Sequence, residues 1–297
     1  MKILVIGGTY FLGRIFTMKA SKQHQLTLLN RGQYSMKEYG VNEYHFDRHD
    51  ISSLSKIKDE YDVIVDFCAY QKDDIKTILD YITTKHYIFI STCDVYIRDN
   101  QYKDETAPLN HILYQGEVGE YINNKVLLEN ELVEECLKHN VYYTSLRPAN
   151  IYGPFNYAPR ESIFIEMLVQ RYPFIQLSDN DGEFQLVYVK DVVKAIIKVI
   201  ENKAYNKVYN IVSKEKMNYQ KFYKILEEAS STKIQYITLS SNEAIEHQYP
   251  LPYPIYKEET QLYNGDLIQT ELNLQYTPIE IGMKETYEAF LPVFKKD

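Results

Sequence analysis

The opening of the chain constrains its fold most. Ile3-Leu4-Val5-Ile6 runs directly into Gly7-Gly8-Thr9-Tyr10-Phe11-Leu12-Gly13. A short apolar run of this kind is a strand that a parallel sheet buries on both faces. The spacing after it predicts a helix over Phe11–Gln23. Glycine at the strand end lets the chain turn tightly and lets a phosphate approach the backbone. The helix start that follows offers unpaired N–H groups and a positive dipole end. Gly13 permits the helix to lie close to the strand. Gly7, Thr9, Tyr10, Phe11, Leu12 and Gly13 are therefore candidate cofactor-binding residues. The middle glycine of the usual pattern is Tyr10 here, so its side chain must point away from a pyrophosphate or reshape the loop. The bland alternative is a strand–helix turn that happens to contain glycine.

The same alternation continues. Strands are expected at Lys2–Ile6, Leu26–Asn30, Glu43–Asp47, Val63–Phe67, Tyr87–Ser91 and Val141–Arg147, with helices at Asp73–Thr84 and Glu117–His139. Parallel neighbours need helical crossovers, so this order predicts an α/β fold with a doubly wound parallel sheet. After Pro148 the texture changes. Tyr152–Pro159 reads as a Gly/Pro/Asn-rich loop and Asp179–Gly182 as a turn. Helices are expected at Phe164–Arg171, Asp191–Asn202, Asn218–Ser230 and Ile279–Phe290, and strands at Phe174–Leu177, Phe184–Val189, Val208–Val212 and Ile234–Leu239. The expected organisation is a Rossmann-type domain over 1–155, with 184–212 returning to the sheet. Residues 156–297 form mainly an interwoven, smaller α/β substrate lobe.

Composition narrows the function. The chain has 297 residues, a net charge of −8 and 25% charged residues. That excludes disorder as the main theme and puts nucleic-acid binding behind. Three cysteines and seven histidines without metal-ligand spacing predict neither a disulfide framework nor a metal site. No apolar run approaches the roughly 20 residues of a membrane span. A cytoplasmic location, no membrane and no nucleic acid are expected. The 29 tyrosines read as compositional bias.

Four further segments carry chemistry. Strand two ends in Asn30-Arg31-Gly32, where an acidic group would serve the ribose hydroxyl of NAD. None is present, and Arg31 suits a 2′-phosphate, so NADP is slightly favoured over NAD; a solvated loop arginine is the alternative. Asp47, with Arg48 beside it, ends strand three and is a candidate acceptor for the adenine amino group. Tyr121-Ile-Asn-Asn-Lys125 places a phenol and an ammonium on one helix face. Such an ammonium favours phenolate and gives a general acid/base, although chance alone makes this spacing common in a Tyr- and Lys-rich chain. Ser91-Thr92-Cys93-Asp94 closes strand five, where a Thr92 hydroxyl faces the ligand crevice and can orient Tyr121. Leu146-Arg147-Pro148-Ala149-Asn150-Ile151 ends strand six, with the Asn150 amide available to a substrate.

In this order and spacing the motifs resemble the extended and atypical branch of the short-chain dehydrogenase/reductase superfamily, the NAD(P)-dependent epimerases and dehydratases. The resemblance implies Tyr121 as acid/base, Lys125 on the nicotinamide ribose and Thr92 on the reacting oxygen. It implies Phe67, Cys68 and Ala69 along the cofactor, Pro148 and Ile151 flanking the nicotinamide, and Cys93, Asp94 and Asn150 near the substrate. Phe184 stands where sugar-nucleotide enzymes of the family carry an arginine on the diphosphate, so it is placed at the substrate as a ring that can stack. The implied activity is an NAD(P)-dependent oxidoreductase acting on a hydroxyl or ketone of a small, sugar-like substrate, with a homodimer expected. Epimerase, dehydratase and reductase chemistry all stay open. The atypical branch includes stem-loop-binding proteins, so a non-catalytic NAD(P)-sensing or RNA-binding protein on the same fold is the rival.

Overall fold

The computed structural model describes residues 1–295. Its strands are β1 (Lys2–Ile6), β2 (Gln25–Asn30), β3 (Asn42–His45), β4 (Tyr61–Asp66), β5 (Thr84–Ile90), β6 (Tyr102–Lys103), β7 (Tyr142–Pro148), β8 (Asn150–Tyr152), β9 (Phe174–Leu177), β10 (Phe184–Tyr188), β11 (Lys207–Ile211), β12 (Lys216–Met217), β13 (Tyr236–Leu239) and β14 (Leu262–Tyr263). Its α-helices are α1 (Phe11–Ala20), α2 (Ile51–Leu54), α3 (Asp74–Tyr81), α4 (Gly116–Lys138), α5 (Glu161–Gln170), α6 (Val189–Asn202), α7 (Tyr219–Ser230), α8 (Ser241–Glu246), α9 (Asp266–Leu272) and α10 (Ile279–Phe294).

Seven strands form one parallel sheet in the order β11-β7-β5-β4-β1-β2-β3. The chain runs outward from β1 to one edge, returns, and runs outward to the other. The crevice therefore opens at the carboxyl ends of β1 and β4, where the order reverses. Strand side chains alternate between the two faces. Leu4, Ile6, Ile64, Tyr87 and Phe89 pack on one side against Ile75 and Ile78 of α3 and Leu128 and Leu132 of α4. Ile3, Val5, Val63, Val65, Ile88 and Ile90 pack on the other with Phe16 of α1 and Val192, Ile196 and Val199 of α6. Both faces are covered, which is why these strands read as unbroken apolar runs.

The second lobe holds a three-stranded sheet, β12-β10-β8, and a cluster of packed aromatic rings, most of them edge-on or tilted. Phe164 of α5 contacts Phe174, Tyr219, Phe222 and Tyr223, and Phe184 contacts Tyr219, Phe222 and Tyr253. Two expectations need correction here. Residues 184–188 do not return to the main sheet: β10 pairs with β8 and β12, and only α6 and β11 of the 184–212 segment rejoin the first lobe. Residues 150–152, expected as the end of strand six and the first residue of a loop, form a separate strand, β8, because Pro148 ends β7 and the chain resumes pairing beside β10.

Candidate active site

A cleft of about 1170 Å³ runs along the carboxyl ends of β1, β2, β4 and β5 into the second lobe. At its floor, Gly7 has φ +84°, and an added Cβ there would lie 1.9 Å from Cys68 Sγ. A Cβ on Gly13 would lie 2.3 Å from the Gly7 carbonyl oxygen. The two glycines thus let the turn and α1 close on each other and leave the helix start bare. No side chain caps α1, and its first turn has no acidic residue. Its free N–H groups fit a pyrophosphate. Tyr10 is accommodated by taking an extended conformation, φ −121° and ψ 148°, while the left-handed φ of +32° falls on Phe11. The Tyr10 ring leaves the loop and meets Tyr34 edge-on at 4.8 Å.

The cleft is walled by Gly7, Thr9, Tyr10, Phe11, Leu12 and Gly13, by Asn30, Arg31 and Asp47, and by Phe67 and Cys68. Asn30 Oδ1 accepts from the Gly32 N–H at 2.6 Å, while its buried Nδ2 has no partner. A buried amide without an acceptor costs stability and marks a place where a ligand oxygen fits. Arg31 is exposed beside it. Asp47 Oδ1 accepts from the backbone N–H of His49 at 3.0 Å. Together the bare helix end, the glycine cradle and the orphaned amide fit a dinucleotide.

Arg48 reaches the cleft but is not free for the cofactor. It is buried, its two Nη atoms donate to Asp66 at 3.1 and 2.8 Å, and it also donates to the Asp74 carbonyl at 2.7 Å. Burial alone would push the Asp66 carboxyl up, but Arg48 and the Tyr87 hydroxyl hold it below the usual range. Ala69 likewise contributes no wall. It is fully buried, and its carbonyl accepts from Lys125 Nζ at 2.9 Å.

Tyr121, Lys125 and Thr92 meet as expected. Lys125 donates to the carbonyls of Ala69 and Ile90, both at 2.9 Å, and lies 5.8 Å from the centre of the Tyr121 ring. Burial lowers Lys125 to about 8. The phenol departs from expectation. Its pKa is raised rather than lowered, first because the cleft walls withdraw it from water and second because of the Asp94 carboxylate. Thr92 and Arg160 pull the other way, and the Thr92 hydroxyl donates to Asp94 Oδ2 at 3.2 Å. Lys125 points its charge into backbone carbonyls, so it does not make Tyr121 acidic by itself.

Pro148, Ile151, Asp94 and Asn150 line the substrate end. Cys93 does not offer its thiol there: buried, it donates to the Arg147 carbonyl at 3.0 Å, and burial pushes its pKa up. Phe184 is no open platform either. Tyr253 already covers its face, 4.1 Å away and tilted 6°. Two further residues complete it, of which the sequence offered only Arg160, as an arginine able to reach inward. Tyr157 crosses the cleft and meets Tyr10 and Phe11 edge-on, each at 6.4 Å. Arg160 donates to Asn150 Oδ1 at 3.1 Å and to the Ile151 carbonyl at 3.2 Å. Tyr70, Tyr253 and Tyr263 also face the cleft, so part of the tyrosine excess is a lining and not mere bias. Away from the cleft, Asp80, Glu135 and His139 converge, but Lys76 and Lys138 already pair with the carboxylates.

The model of the family described as "NAD dependent epimerase/dehydratase family" matches residues 3–212. The chain belongs to this family. It is a member of the extended short-chain dehydrogenase/reductase superfamily. An Arabidopsis thaliana relative, chloroplast stem-loop binding protein of 41 kDa b, is 27% identical over 214 residues, 65% of this chain. The chain spans about half, 53%, of that relative's length. Among solved structures, a UDP-glucose 4-epimerase from Thermotoga maritima superposes with a TM-score of 0.78 at 21% identity, covering 99% of both chains. A UDP-glucuronic acid 4-epimerase from Bacillus cereus, in complex with NAD, gives 0.77 at 17% identity over 99% of this chain and 100% of that one. A putative epimerase from Burkholderia cenocepacia gives 0.80 at 14% identity over 98% of each. These likenesses establish the fold. Among the described residues no helix is long and apolar enough to cross a membrane.

Proposed function

We propose that this chain is an NAD(P)-dependent oxidoreductase of the epimerase/dehydratase type, acting on a hydroxyl or ketone of a small, sugar-like substrate. The observation that carries the reading is the convergence of Tyr121, Thr92 and Lys125 on the cleft that also holds the bare start of α1. A nicotinamide dinucleotide held in this cleft would supply the hydride acceptor and donor. Tyr121 moves the proton of the substrate hydroxyl, Thr92 holds the reacting oxygen, and Lys125 holds the nicotinamide ribose. Gly7, Thr9, Tyr10, Phe11, Leu12 and Gly13 hold the pyrophosphate, and Asn30, Arg31 and Asp47 the adenosine end. Tyr121 must protonate and deprotonate in turn, and its raised pKa makes it a stable proton donor in the direction of carbonyl reduction. Tyr121→Phe removes that proton while keeping the ring, so turnover falls about 10²–10⁴-fold with little change in dinucleotide affinity. Turnover at the parent rate would remove Tyr121 from the mechanism.

NADP is favoured over NAD because Arg31 stands alone at the end of β2. A cytoplasmic setting is supported by three unpaired cysteines. A homodimer would cover Leu127, Val133 and Leu137, exposed along the outer face of α4, and sedimentation velocity tests it. Nucleic acid is not part of the proposal: the Arabidopsis relative is named for stem-loop binding, but a net charge of −8 opposes it here. A shift of stem-loop RNA on a native gel would restore that reading.

A further inference from the structure

The cleft contains two arginines that lack a carboxylate partner. Arg31 lies at the adenosine end, and Arg160 lies at the substrate end. Arg160 is half-buried, and its two bonds go to neutral oxygens, the Asn150 side chain at 3.1 Å and the Ile151 carbonyl at 3.2 Å. Among the described residues no acidic oxygen comes within 4.0 Å of it. The carboxylate next in sequence, Glu161, is turned inward and accepts from the Gly153 N–H at 3.0 Å and from Asn156 Nδ2. A guanidinium partly withdrawn from water and hydrogen-bonded only to neutral groups has no carboxylate in direct contact, and only a through-space interaction with Glu161 offsets its charge. Its fork is fixed in place by Asn150 and Ile151, which is the condition for bidentate recognition of a carboxylate.

The other charged side chains at this end add no free cation. Arg98 lies 3.8 Å from Asp94 and over the Tyr114 ring at 5.5 Å. Glu259 accepts from the N–H groups of Ile255 and Tyr256 at 2.8 and 3.2 Å. The β10 position that faces the cleft is Phe184, stacked on Tyr253, and adds no cation. One unpaired positive charge is therefore left for the substrate. A diphosphate would bring two or more negative charges into a site with one free cation, and uncompensated buried charge is costly.

Resting on the oxidoreductase reading above, we propose that Arg160 anchors a single carboxylate of the substrate, so that the substrate is a hydroxy acid of the sugar-acid kind and not a nucleoside-diphosphate sugar. Arg160 also acts on Tyr121 through space, lowering the phenol's pKa against burial and Asp94. Arg160 and Tyr121 line the same cleft, so one small molecule can meet both.

The test uses the dinucleotide-loaded protein and calorimetry. Dinucleotide binding is measured first and by itself. The probes are D-glucuronate, D-gluconate and 3-hydroxybutyrate, each against its neutral methyl ester or amide, together with UDP-glucose. At least one acid should bind tenfold or more tightly than its neutral counterpart. Arg160→Gln should erase that preference, and Arg160→Lys should keep part of it. Dinucleotide affinity should stay within twofold in both variants, which also reports that they fold. The proposal is overturned if no acid is preferred in the parent, if the preference survives in Arg160→Gln, or if UDP-glucose binds more tightly than every acid. The parent comparison of acid with ester decides the matter even if a variant fails to fold. A protein that binds no dinucleotide refutes the oxidoreductase reading and this inference with it. One that binds dinucleotide and ignores the carboxylate refutes this inference alone.

Discussion

Tyr157 is 71% exposed, yet its ring lies across the cleft against Tyr10 and Phe11 at 6.4 Å each. Both partners flank the start of α1, where a pyrophosphate fits, so the Tyr157 ring would close the cleft over a bound dinucleotide. Replacing it with alanine removes two edge-on contacts. Such pairs contribute about 0.5–1.5 kcal/mol each, and these sit near the long end of the usual centroid range. We therefore take the low end, about 1 kcal/mol for the two, which is about a fivefold change in rate if the whole contact is broken on release. Tyr157→Ala should release reduced dinucleotide about five times faster, and Tyr157→Phe should stay within twofold of the parent. Stopped-flow displacement by excess oxidised dinucleotide reads this from the nicotinamide fluorescence, because the chain contains no tryptophan. Tyr10→Gly breaks one of the two contacts and should speed release about twofold, and adding Tyr157→Ala to it should bring release to the level of Tyr157→Ala alone, since the two changes share the Tyr10 contact. An unchanged release rate in Tyr157→Ala, with dinucleotide still bound, would refute the latch.

Two further outcomes are expected. Charge-assisted hydrogen bonds to phosphate contribute about 1.5–3 kcal/mol each, so Arg31→Asp should weaken NADP(H) about tenfold or more and spare NAD(H); equal affinity of the parent for both cofactors by calorimetry would end the NADP preference. Burial lowers His86 from 6.5 to about 4, so the unfolded chain binds a proton that the folded one refuses, and stability falls as pH drops from 6.5 toward 4. The loss is up to about 3 kcal/mol, and His86→Gln should flatten the dependence of the thermal midpoint over that window; an identical slope would exclude His86.

Much of the first lobe was legible because buried parallel strands write themselves as apolar runs and crossover helices as a 3.6-residue period. Asn150–Tyr152 was not, since a three-residue strand has no period to read and its pairing partner lies beyond the next helix. Phe184–Tyr188 has a strand pattern, but pattern alone does not say which sheet a strand joins. Within the site, the YxxxK spacing on α4 was enough to bring Tyr121 and Lys125 together. The protonation preference of Tyr121 was not readable, because it depends on where Lys125 Nζ points and on Asp94 across the cleft. Arg48 and Cys93 carried no local sign that Asp66 and the Arg147 carbonyl would claim them. A carboxylate ending a buried strand does require a cation, so Asp66 was the signal for Arg48. Tyr157 had none: a ring on a loop in a tyrosine-rich chain is indistinguishable from its neighbours until the loop is seen to cross the cleft.

Arg160 and Tyr157 belong to one loop, and this links the two ends of the cleft. Glu161 fixes the base of that loop through Gly153 and Asn156, and Asn150 and Ile151 hold Arg160 at its far end, so Tyr157 sits between two anchored points. An anion held by Arg160 neutralises the one unpaired charge on this stretch and tethers it to the substrate end. Tyr157 is then held on Tyr10 and Phe11 for longer. Binding of the acid should therefore slow dinucleotide release, and by reciprocity bound dinucleotide should tighten the acid by the same factor. The expected size is bounded by the latch itself, about fivefold at most if the latch is worth about 1 kcal/mol. The same displacement assay, run with and without a saturating acid, measures it, and the effect should vanish in Arg160→Gln and in Tyr157→Ala alike. A loop that retains the cofactor while substrate is present suits a reaction that returns the hydride before the cofactor leaves, which favours epimerisation over net reduction. Release that is indifferent to the acid in the parent would uncouple the two residues and remove that preference.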